Sequence, residues 1–445
     1  MSKVVSDLGP WTLDFWTMFF LYSLLYTLAF ILASPLLLLR REKYAAGFNE
    51  RLGNYPEFKK DSRPVVWLHC VSVGETNAAR PLVEQLLAAF PDHRLVFSTT
   101  TRTGQELARN IFKDKADAVF YFPFDWKFTV RRALRHFGPS VILMMETEIW
   151  PRFFLESHVS GAKIAIVNGR LSGKSFRRYS HVRSFVGRVL SFIDLALMQD
   201  EKDAERMGSL GVNANKITVS GNLKFDLSMD EKESDLTEVF RTRFGIDGTR
   251  PLIVAASTHE PEEEWVLNAL DISGYPFRLL FAPRHPERFD AVAKTLGETQ
   301  YSLIRRSNYP TEADKNADVI LLDSIGELRA VYPLADIVFV GGSLIPRGGQ
   351  SVLEPASAGK PVVIGPFTHN FEAVVDGFLE KRAIVQAKSA TSGHDEPFEL
   401  YSALRVFFDE PDKRVEYGKR ALEVMESNRG ATEKTIESLR LLINR

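Results

Sequence analysis

The chain has 445 residues, of which 45% are hydrophobic and 25% are charged, and its formal net charge is -1. This composition is typical of a folded globular protein and excludes extensive disorder, and the length predicts two domains plus an appendage. The balanced charge gives no reason to expect a nucleic-acid partner. The single cysteine, Cys70, excludes a disulfide framework and a cysteine-based metal site.

The first element in the chain is an uncharged, apolar stretch from Phe15 to Leu39. As a helix it would be roughly 37 Å long, which is enough to cross the ~30 Å hydrocarbon core of a bilayer. We therefore predict an N-terminal transmembrane or membrane-anchor helix within residues 1–44. A cleaved signal peptide is disfavoured, because the residues before the stretch carry no net positive charge.

The residues around this stretch predict its orientation. Arg40, Arg41 and Lys43 follow it directly and no comparable basic group precedes it, so the positive-inside rule places the rest of the chain in the cytoplasm. Two alternatives stay open for the stretch. It can be a buried core helix, or it can lie in one leaflet, since Pro35 interrupts it.

After the anchor, short strand-like stretches that are apolar on both faces alternate with helical ones. This alternation predicts βαβ units, and therefore an α/β protein with two Rossmann-like domains that face each other across a cleft. We place the first domain at residues 45–229, a charged linker at 230–250, and the second domain at 251–445, whose last helix can pack back on the first. The predicted strands are residues 65–71, 94–98, 118–121, 141–145, 163–167, 195–198, 252–255, 278–281, 319–322, 337–340 and 361–364, and the predicted helices include 81–89, 104–111, 127–136 and 176–189.

Glu75 follows the first strand and a turn of small residues, at the place where a helix through Pro81 would begin. Ligands bind at the carboxyl ends of strands in open α/β sheets, so this carboxylate could serve as a base in a cleft. A structural alternative is that an acidic residue in the first turn of a helix only complements the helix dipole.

The second half of the chain has residues that suit a nucleotide. It lacks G-x-G-x-x-G and P-loop motifs, as does the first half, so neither a dinucleotide oxidoreductase nor a P-loop enzyme is supported. Arg284 follows a predicted strand and could hold a phosphate. A glycine-rich loop over residues 341–349 leads into a helix predicted to start near Ser351, whose amides could bind an anion, and Glu354 could accept hydrogen bonds from a ribose.

Six motifs in order along the chain closely resemble those of the 3-deoxy-D-manno-octulosonic acid (Kdo) transferases, and the similarity extends from the anchor to about residue 375. The resemblance implies the GT-B fold of glycosyltransferase family 30, with the acceptor handled by the N-terminal domain and CMP-Kdo by the C-terminal domain. The motifs are S-V-G-E at 72–75, E-T-E-I-W-P at 146–151, G-N-L-K-F-D at 221–226, S-T-H-E at 257–260, P-R-H-P-E-R-F at 283–289 and G-G-S-L-I-P-R-G-G-Q-S-V-L-E-P at 341–355.

What the resemblance implies about function can be stated concretely. It implies transfer of Kdo from CMP-Kdo to a lipid A precursor, lipid IVA, in lipopolysaccharide core biosynthesis, on the cytoplasmic side of the cell inner membrane. It also implies catalysis without a metal or other cofactor, and we expect a monomer. A divalent ion held by Glu146 and Glu148, which lie on one face at strand spacing, is an alternative suggested by the residues alone.

The same resemblance assigns roles to individual residues. It makes Glu75 the general base and matches Glu146 and Lys224 to positions that stabilise the transition state. From the residues alone, Glu146 could instead form an ion pair with an arginine and Lys224 could be a surface lysine. The residues matched to CMP-contacting positions are Pro283, Arg284, Ile325, Gly326, Glu327, Ser351, Val352, Leu353 and Glu354.

Two positions depart from the family pattern. Gln350 and Ser351 stand where the family has His-Asn, and Phe367 replaces the histidine of G-P-H-x-x-N-F. Ser351 is shorter than asparagine, although its hydroxyl could still reach a phosphate. These departures bear on how the chain contacts CMP.

The chemistry of the transfer itself requires a base, independently of the family resemblance. The donor is a β-linked ketoside and the family product is α-linked, so a single inverting displacement needs a group that removes the acceptor proton. Two rival classes remain: a GT-B transferase that uses another sugar nucleotide on a membrane acceptor, and a membrane-tethered binding protein without turnover. Basic residues without nearby acids, Arg177, Arg178, Arg183 and Arg188, could meet acceptor phosphates or anionic lipid headgroups, or form a solvated helix face.

Overall fold

The chain forms two compact units, as described by a computed structural model. The first unit consists of Met1–Asp226 together with Arg429–Arg445, and the second consists of Leu227–Asn428. Each unit contains a parallel sheet of seven strands, which confirms the predicted α/β class with two Rossmann-like domains. The described residues are 15–39, 46–226, 231–389 and 395–444.

The first unit is built around a sheet in which every pair of neighbouring strands is parallel. Its strands are β1 Val65–Cys70, β2 Arg94–Thr99, β3 Ala118–Tyr121, β4 Pro139–Met145, β5 Lys163–Gly169, β6 Leu195–Met198 and β7 Ile217–Val219, in the order β3-β2-β1-β4-β5-β6-β7. Successive side chains of a strand point to opposite faces, so Trp67 and Leu68 enter separate hydrophobic clusters. This arrangement explains why both alternating sets of residues in the central strands are apolar.

Helices cover both faces of this sheet. They are α1 Phe15–Leu39, α2 Phe48–Arg51, α3 Val73–Ala78, α4 Arg80–Ala89, α5 Arg102–Ile111, α6 Lys127–Phe137, α7 Pro151–Val159, α8 Gly173–His181, α9 Arg183–Leu190 and α10 Glu201–Leu210. The single helix predicted over residues 176–189 is wrong, because the chain leaves helical geometry at Val182 and forms α8 and α9.

Helix α1 has the bounds predicted from the apolar stretch and includes Pro35. By length and composition it is apolar enough to cross a membrane, and most of it is exposed. Phe19 is the exception, since it is 1% exposed and belongs to the core of the first unit. The flanking residues Arg40, Arg41 and Lys43, on which the predicted orientation depends, lie outside the described residues.

The second unit repeats the architecture with a different strand order. Its strands are β8 Leu252–Thr258, β9 Arg278–Pro283, β10 Leu303–Arg305, β11 Val319–Leu321, β12 Ile337–Val340, β13 Val362–Ile364 and β14 Ile384–Gln386, in the order β10-β11-β9-β8-β12-β13-β14. Its helices are α11 Glu231–Phe244, α12 Glu262–Ser273, α13 Phe289–Gly297, α14 Leu328–Val331, α15 Leu353–Ser357, α16 Glu372–Glu380, α17 Glu396–Asp409 and α18 Asp412–Ser427.

A helix occupies most of the range in which a linker was predicted. Helix α11 belongs to the second unit and buries Phe240 and Phe244, which lie one turn apart on the same face. Thr237 Oγ1 donates to Ala330 O at 2.7 Å and adds a polar contact. The charged beginning of this segment concealed the apolar face that follows it.

The last helix, α19 Ala431–Ile443, belongs to the first unit. Ile436 and Leu439 are buried in the cluster that contains Leu68. The carboxylate of Asp226 accepts hydrogen bonds from the backbone N–H groups of Gly430 (2.8 Å) and Thr432 (2.6 Å). The first unit is thus assembled from both ends of the chain.

Candidate active site

Glu75 lies in the first turn of α3, directly after β1. Ser72 is the N-cap of this helix, and its hydroxyl contacts both the Glu75 N–H (3.4 Å) and Glu75 Oε1 (3.0 Å). Glu75 Oε2 accepts a hydrogen bond from the Val71 N–H at 2.8 Å. The helix predicted through Pro81 is a separate element, α4, so Glu75 sits in a short helix of its own. These contacts fix the carboxylate at the carboxyl end of the strand.

Burial and nearby acids change how this carboxylate titrates. Glu75 is 8% exposed, and burial raises its pKa to about 7 with a further contribution from Glu146. The hydrogen bonds from Val71 and Ser72 oppose that rise. Burial and the same Glu146 also raise the pKa of Glu148. A carboxylate with a pKa near neutrality suits a general base.

Glu146 and Lys224 form an ion pair in the same unit. Lys224 Nζ donates to Glu146 Oε1 at 2.9 Å, and the two side chains are 22% and 27% exposed. Glu146 follows β4 with a φ of 56°, a left-handed conformation that is costly for a residue with a side chain. Lys224 is therefore not a free surface lysine, because it forms an ion pair with a second predicted site residue.

Lys224 is positioned by Asn168, which the sequence did not reveal as important. Asn168 is buried in β5, has a φ of 55°, and accepts the Leu223 N–H through Oδ1 at 2.9 Å. This bond holds the 3₁₀ turn Leu223–Asp226, which carries Lys224. Asparagine tolerates the left-handed conformation better than most residues, which explains its use here.

The second unit gathers cationic and histidine side chains after β8 and β9. The side chain of Arg284 is exposed. Its backbone N–H donates to Thr258 O at 3.0 Å and so connects the ends of β8 and β9. The rings of His259 and His285 are 5.2 Å apart. Burial lowers the pKa of His259, and electrostatic interactions with His285, Arg347 and Arg284 lower it further. This cluster has the charge that a phosphate or carboxylate ligand requires.

A buried carboxylate supports the glycine-rich loop beside this cluster. Glu262 is fully buried and accepts four backbone N–H groups, from His259, Gly342, Ser343 and Leu344, at 2.7 to 3.1 Å. A Cβ on Gly341 would lie 2.7 Å from Thr258 Cα, so only glycine fits there. Glu262 is not among the predicted site residues, because an acid in the first turn of a helix ordinarily indicates only dipole compensation.

The predicted CMP-contacting residues occupy different environments. Pro283 ends β9 and is buried, Ile325 is 78% exposed, and Gly326 has a φ of 88°. Glu327 accepts two hydrogen bonds from Arg306 at 3.0 and 3.1 Å, so its carboxylate is already paired. Glu327 therefore anchors its turn in the described structure.

The segment from Ser351 to Glu354 differs from its prediction. The helix begins at Leu353 and has five residues, and Ser351 Oγ accepts the Leu353 N–H at 3.4 Å. The side chains of Val352 and Leu353 are fully buried, so only their main chain can meet a ligand. Glu354 is half-buried. Burial raises the pKa of Tyr332, and the negative charge of Glu354 raises it further.

Metal binding was weighed for Glu146 and Glu148. Within residues 15–39, 46–226, 231–389 and 395–444, no group of three or more His, Cys, Asp or Glu side chains is arranged to hold a metal ion. Glu146 uses one carboxylate oxygen for Lys224. Metal-independent catalysis stays a prediction.

Comparison with known proteins places this geometry in a family. A family model for "3-Deoxy-D-manno-octulosonic-acid transferase (kdotransferase)" matches residues 46–227. The 3-deoxy-D-manno-octulosonic acid transferase of Haemophilus influenzae is 32% identical over 437 residues, covering 96% of this chain and 100% of the relative. That of Bordetella pertussis is 32% identical over 385 residues, covering 84% of this chain and 86% of the relative.

Solved structures support the fold. The UDP-GlcNAc 2-epimerase of Neisseria meningitidis bound to UDP-GlcNAc aligns with a TM-score of 0.57 at 13% identity, over 84% of this chain and 99% of that one. This likeness and the two parallel sheets define the GT-B fold, and the relatives define its class as a glycosyltransferase. The chain belongs to the 3-deoxy-D-manno-octulosonic acid transferase family, whose members act in lipopolysaccharide core biosynthesis.

Proposed function

We propose that this transferase moves Kdo from CMP-Kdo to a lipid A precursor, lipid IVA, by an inverting displacement in which Glu75 is the general base. The observation that carries the proposal is the carboxylate of Glu75, which is held by hydrogen bonds and lies in the same unit as the Glu146–Lys224 pair. Burial raises the pKa of this carboxylate to about 7. The lipid acceptor and the inversion of configuration are inferred from the family resemblance and the chemistry of a β-linked donor.

In the proposed reaction the acceptor hydroxyl oxygen attacks C2 of Kdo while the bond from C2 to the phosphate oxygen breaks. CMP leaves with the bonding electrons on its phosphate, and Glu75 accepts the hydroxyl proton. Lys224 faces the Kdo carboxylate, and Glu146 orients Lys224 through their 2.9 Å contact. The cations around Arg284 meet the phosphate of CMP. No metal or other cofactor enters these steps.

The decisive experiment compares Glu75→Gln with Glu84→Gln, a control on the surface of α4 whose side chain is 60% exposed. We expect Glu75→Gln to abolish Kdo transfer to lipid IVA in a mass-spectrometric product assay, while CMP-Kdo still binds, because the proposed donor residues lie in the second unit. Glu84→Gln should behave like the parent. Transfer by Glu75→Gln at the parental rate would remove the base assignment.

A second candidate function is a GT-B transferase that uses another sugar nucleotide. A panel of CMP-Kdo, UDP-sugars and GDP-sugars with the same acceptor separates the two, since only the proposed donor should give product. A binding protein without turnover would bind CMP-Kdo and yield no product from any donor. Activity unchanged by EDTA would support the metal-independent mechanism.

Membrane attachment is part of the proposed function. We infer that α1 holds the enzyme at the inner membrane with both units in the cytoplasm, where a lipid acceptor is available. Restriction to the membrane surface raises the effective concentration of acceptor and enzyme for each other. The apolar, largely exposed α1 supports attachment to a membrane.

A further inference from the structure

Helix α1 is attached to the first unit along more than half of its length. The ring of Phe15 lies 6.1 Å from that of Phe192, and the ring of Phe30 lies 4.8 Å from that of Trp126. Phe19, between them, is 1% exposed. The docked segment therefore runs from residue 15 to residue 30.

Buried hydrogen bonds hold this docked segment. The Tyr22 hydroxyl donates to Asp125 Oδ2 at 2.7 Å, and Arg152 Nη2 donates to Phe19 O (2.9 Å) and Ser23 Oγ (2.8 Å). Asp125 is fully buried and also accepts the N–H groups of Arg152 and Phe153. Separation of the helix from the unit would remove one hydrogen bond from the buried Asp125 and two from the buried Arg152, which is costly.

A second polar contact lies one turn further along the helix. Trp126 Nε1 donates to Thr27 Oγ1 at 2.9 Å, and the Asp125 N–H donates to the Tyr26 hydroxyl at 3.3 Å. Tyr22, Ser23, Tyr26 and Thr27, four polar residues of the otherwise apolar stretch, thus face the first unit. The polar side that the sequence did not reveal is the side by which the helix docks.

The docked geometry is incompatible with a membrane-spanning helix. Residues 31–39 follow the docked segment, and as a helix they cover roughly 13 Å. The hydrocarbon core is about 30 Å thick. To bury the whole stretch in it, the part of the first unit that contacts the docked segment would have to enter the bilayer. That part includes α9, which contacts Phe19 through Phe185 and begins with the exposed Arg183, so burial in the hydrocarbon core is unfavourable.

The opposite side of α1, here called the apolar face, is exposed, and the helix α9 that contacts the docked segment belongs to a basic stretch of the chain. Helix α9 reaches the docked segment through Phe185, whose ring lies 5.4 Å from that of Phe19. The segment α8–α9 has no acidic residue, and its exposed basic residues are Lys174, Arg177, Arg178 and Arg183. The apolar face consists of Trp16, Phe20, Leu21, Leu24, Leu25, Leu28, Ile31 and Leu32, which are 37% to 72% exposed.

We propose that α1 lies in the plane of one leaflet, with the apolar face among acyl chains and the basic residues of α8 and α9 against anionic headgroups. Exposed apolar residues on a helix, combined with basic residues, are typical of proteins that bind anionic membrane surfaces. The inference rests on the proposed attachment to the inner membrane, and it concerns how the helix attaches.

Labelling of single cysteines in inside-out inner-membrane vesicles tests whether α1 lies in the plane of the membrane. Cys70 is buried and serves as the background. Ser6→Cys, before α1, and Ser209→Cys, exposed in α10, are treated separately with a membrane-impermeant maleimide. We expect equal labelling of both in intact vesicles. Labelling of Ser209→Cys alone, with Ser6→Cys protected until detergent is added, would show a spanning helix and overturn the inference. Protection of Ser209→Cys would instead refute the proposed cytoplasmic location.

Vesicle flotation tests the apolar face itself. Leu24→Glu combined with Leu28→Glu should lower the vesicle-bound fraction of the full chain about tenfold. Leu441→Glu, which changes an even more exposed leucine of the first unit, should not lower it. Arg177→Ser with Arg178→Ser should weaken binding to phosphatidylglycerol vesicles and leave binding to phosphatidylcholine vesicles unchanged. Parental flotation of the leucine variant, or disulfide-linked dimers of Leu24→Cys in vesicles, would show that lipid does not cover the apolar face.

Discussion

Lys224 Nζ lies 2.9 Å from Glu146 Oε1, although 78 positions separate the two residues in the sequence. Both residues belong to motifs that the chain shares with Kdo transferases. Their pairing in a partly buried site means that each fixes the position of the other. The pair is therefore expected to act as a unit in catalysis.

The first prediction concerns this pair. Lys224→Met and Glu146→Gln should each lower kcat by about 10²-fold, because a preorganised charge next to the reacting centre is lost. The double variant should lose little more than either single one, since the residues act together. Steady-state kinetics measures this, with Lys115→Met as the control in an exposed pair. If the loss of kcat in the double variant equalled the product of the two single losses, the residues would act independently and a shared role would be contradicted.

The pH dependence of transfer should report Glu75. Below pH 7 the carboxyl becomes protonated, because its pKa is raised to about 7, so the rate should fall about tenfold for each pH unit. Glu146→Gln removes a negative charge that raises this pKa and should move the acid limb to lower pH. A kcat/KM profile of both proteins measures the shift. If the acid limb did not move, the charge of Glu146 would not influence the group whose titration controls the rate.

The carboxyl of Glu75 should lower the free energy of unfolding at high pH. Its pKa is raised above the ordinary value of 4.5, so its contribution to folding is full below pH 4.5 and is lost as the pH rises through 7. The loss amounts to at most about 3 kcal/mol at pH 8. Glu75→Gln should therefore raise Tm at pH 8 but not at pH 4, as thermal unfolding can show. An equal Tm change at both pH values would mean that Glu75 titrates normally.

Glu262 should be essential for the glycine-rich loop of the second unit. Glu262→Gln places an amide NH₂ against backbone donors and should lower the free energy of unfolding by about 2 to 5 kcal/mol. Glu264→Gln changes an exposed acid of the same helix and should leave it unchanged. Denaturant unfolding and CMP binding measured by calorimetry check both. Parental stability and CMP affinity in Glu262→Gln would show that the loop holds its shape without this carboxylate.

The sequence predicted the elements whose signal is local. Strands such as Val65–Cys70 and Ile337–Val340 are apolar on both faces, and the structure forms them where they were predicted. The strands Ile217–Val219, Leu303–Arg305 and Ile384–Gln386 were missed, because each has three residues and at least two are only partly buried. Short edge strands depend on their neighbours more than on their own composition.

The site was predictable to a similar extent. Glu75 stood out because it follows a strand at a turn of small residues. The Glu146–Lys224 contact depends on Asn168, whose left-handed backbone and hydrogen bond to Leu223 have no signature in a single sequence. The docking of α1 on Asp125 was equally hidden, since the contact joins residues about a hundred positions apart.

The C-terminal helix α19 has a consequence for how the protein is made. Leu439 lies in the core of the first unit, and Asp226 binds the start of the helix. A ribosome must therefore finish the whole second unit before it supplies the segment that closes the first one. A nascent chain, or a recombinant fragment that stops at Asp226, would leave this apolar surface open to water and to chaperones.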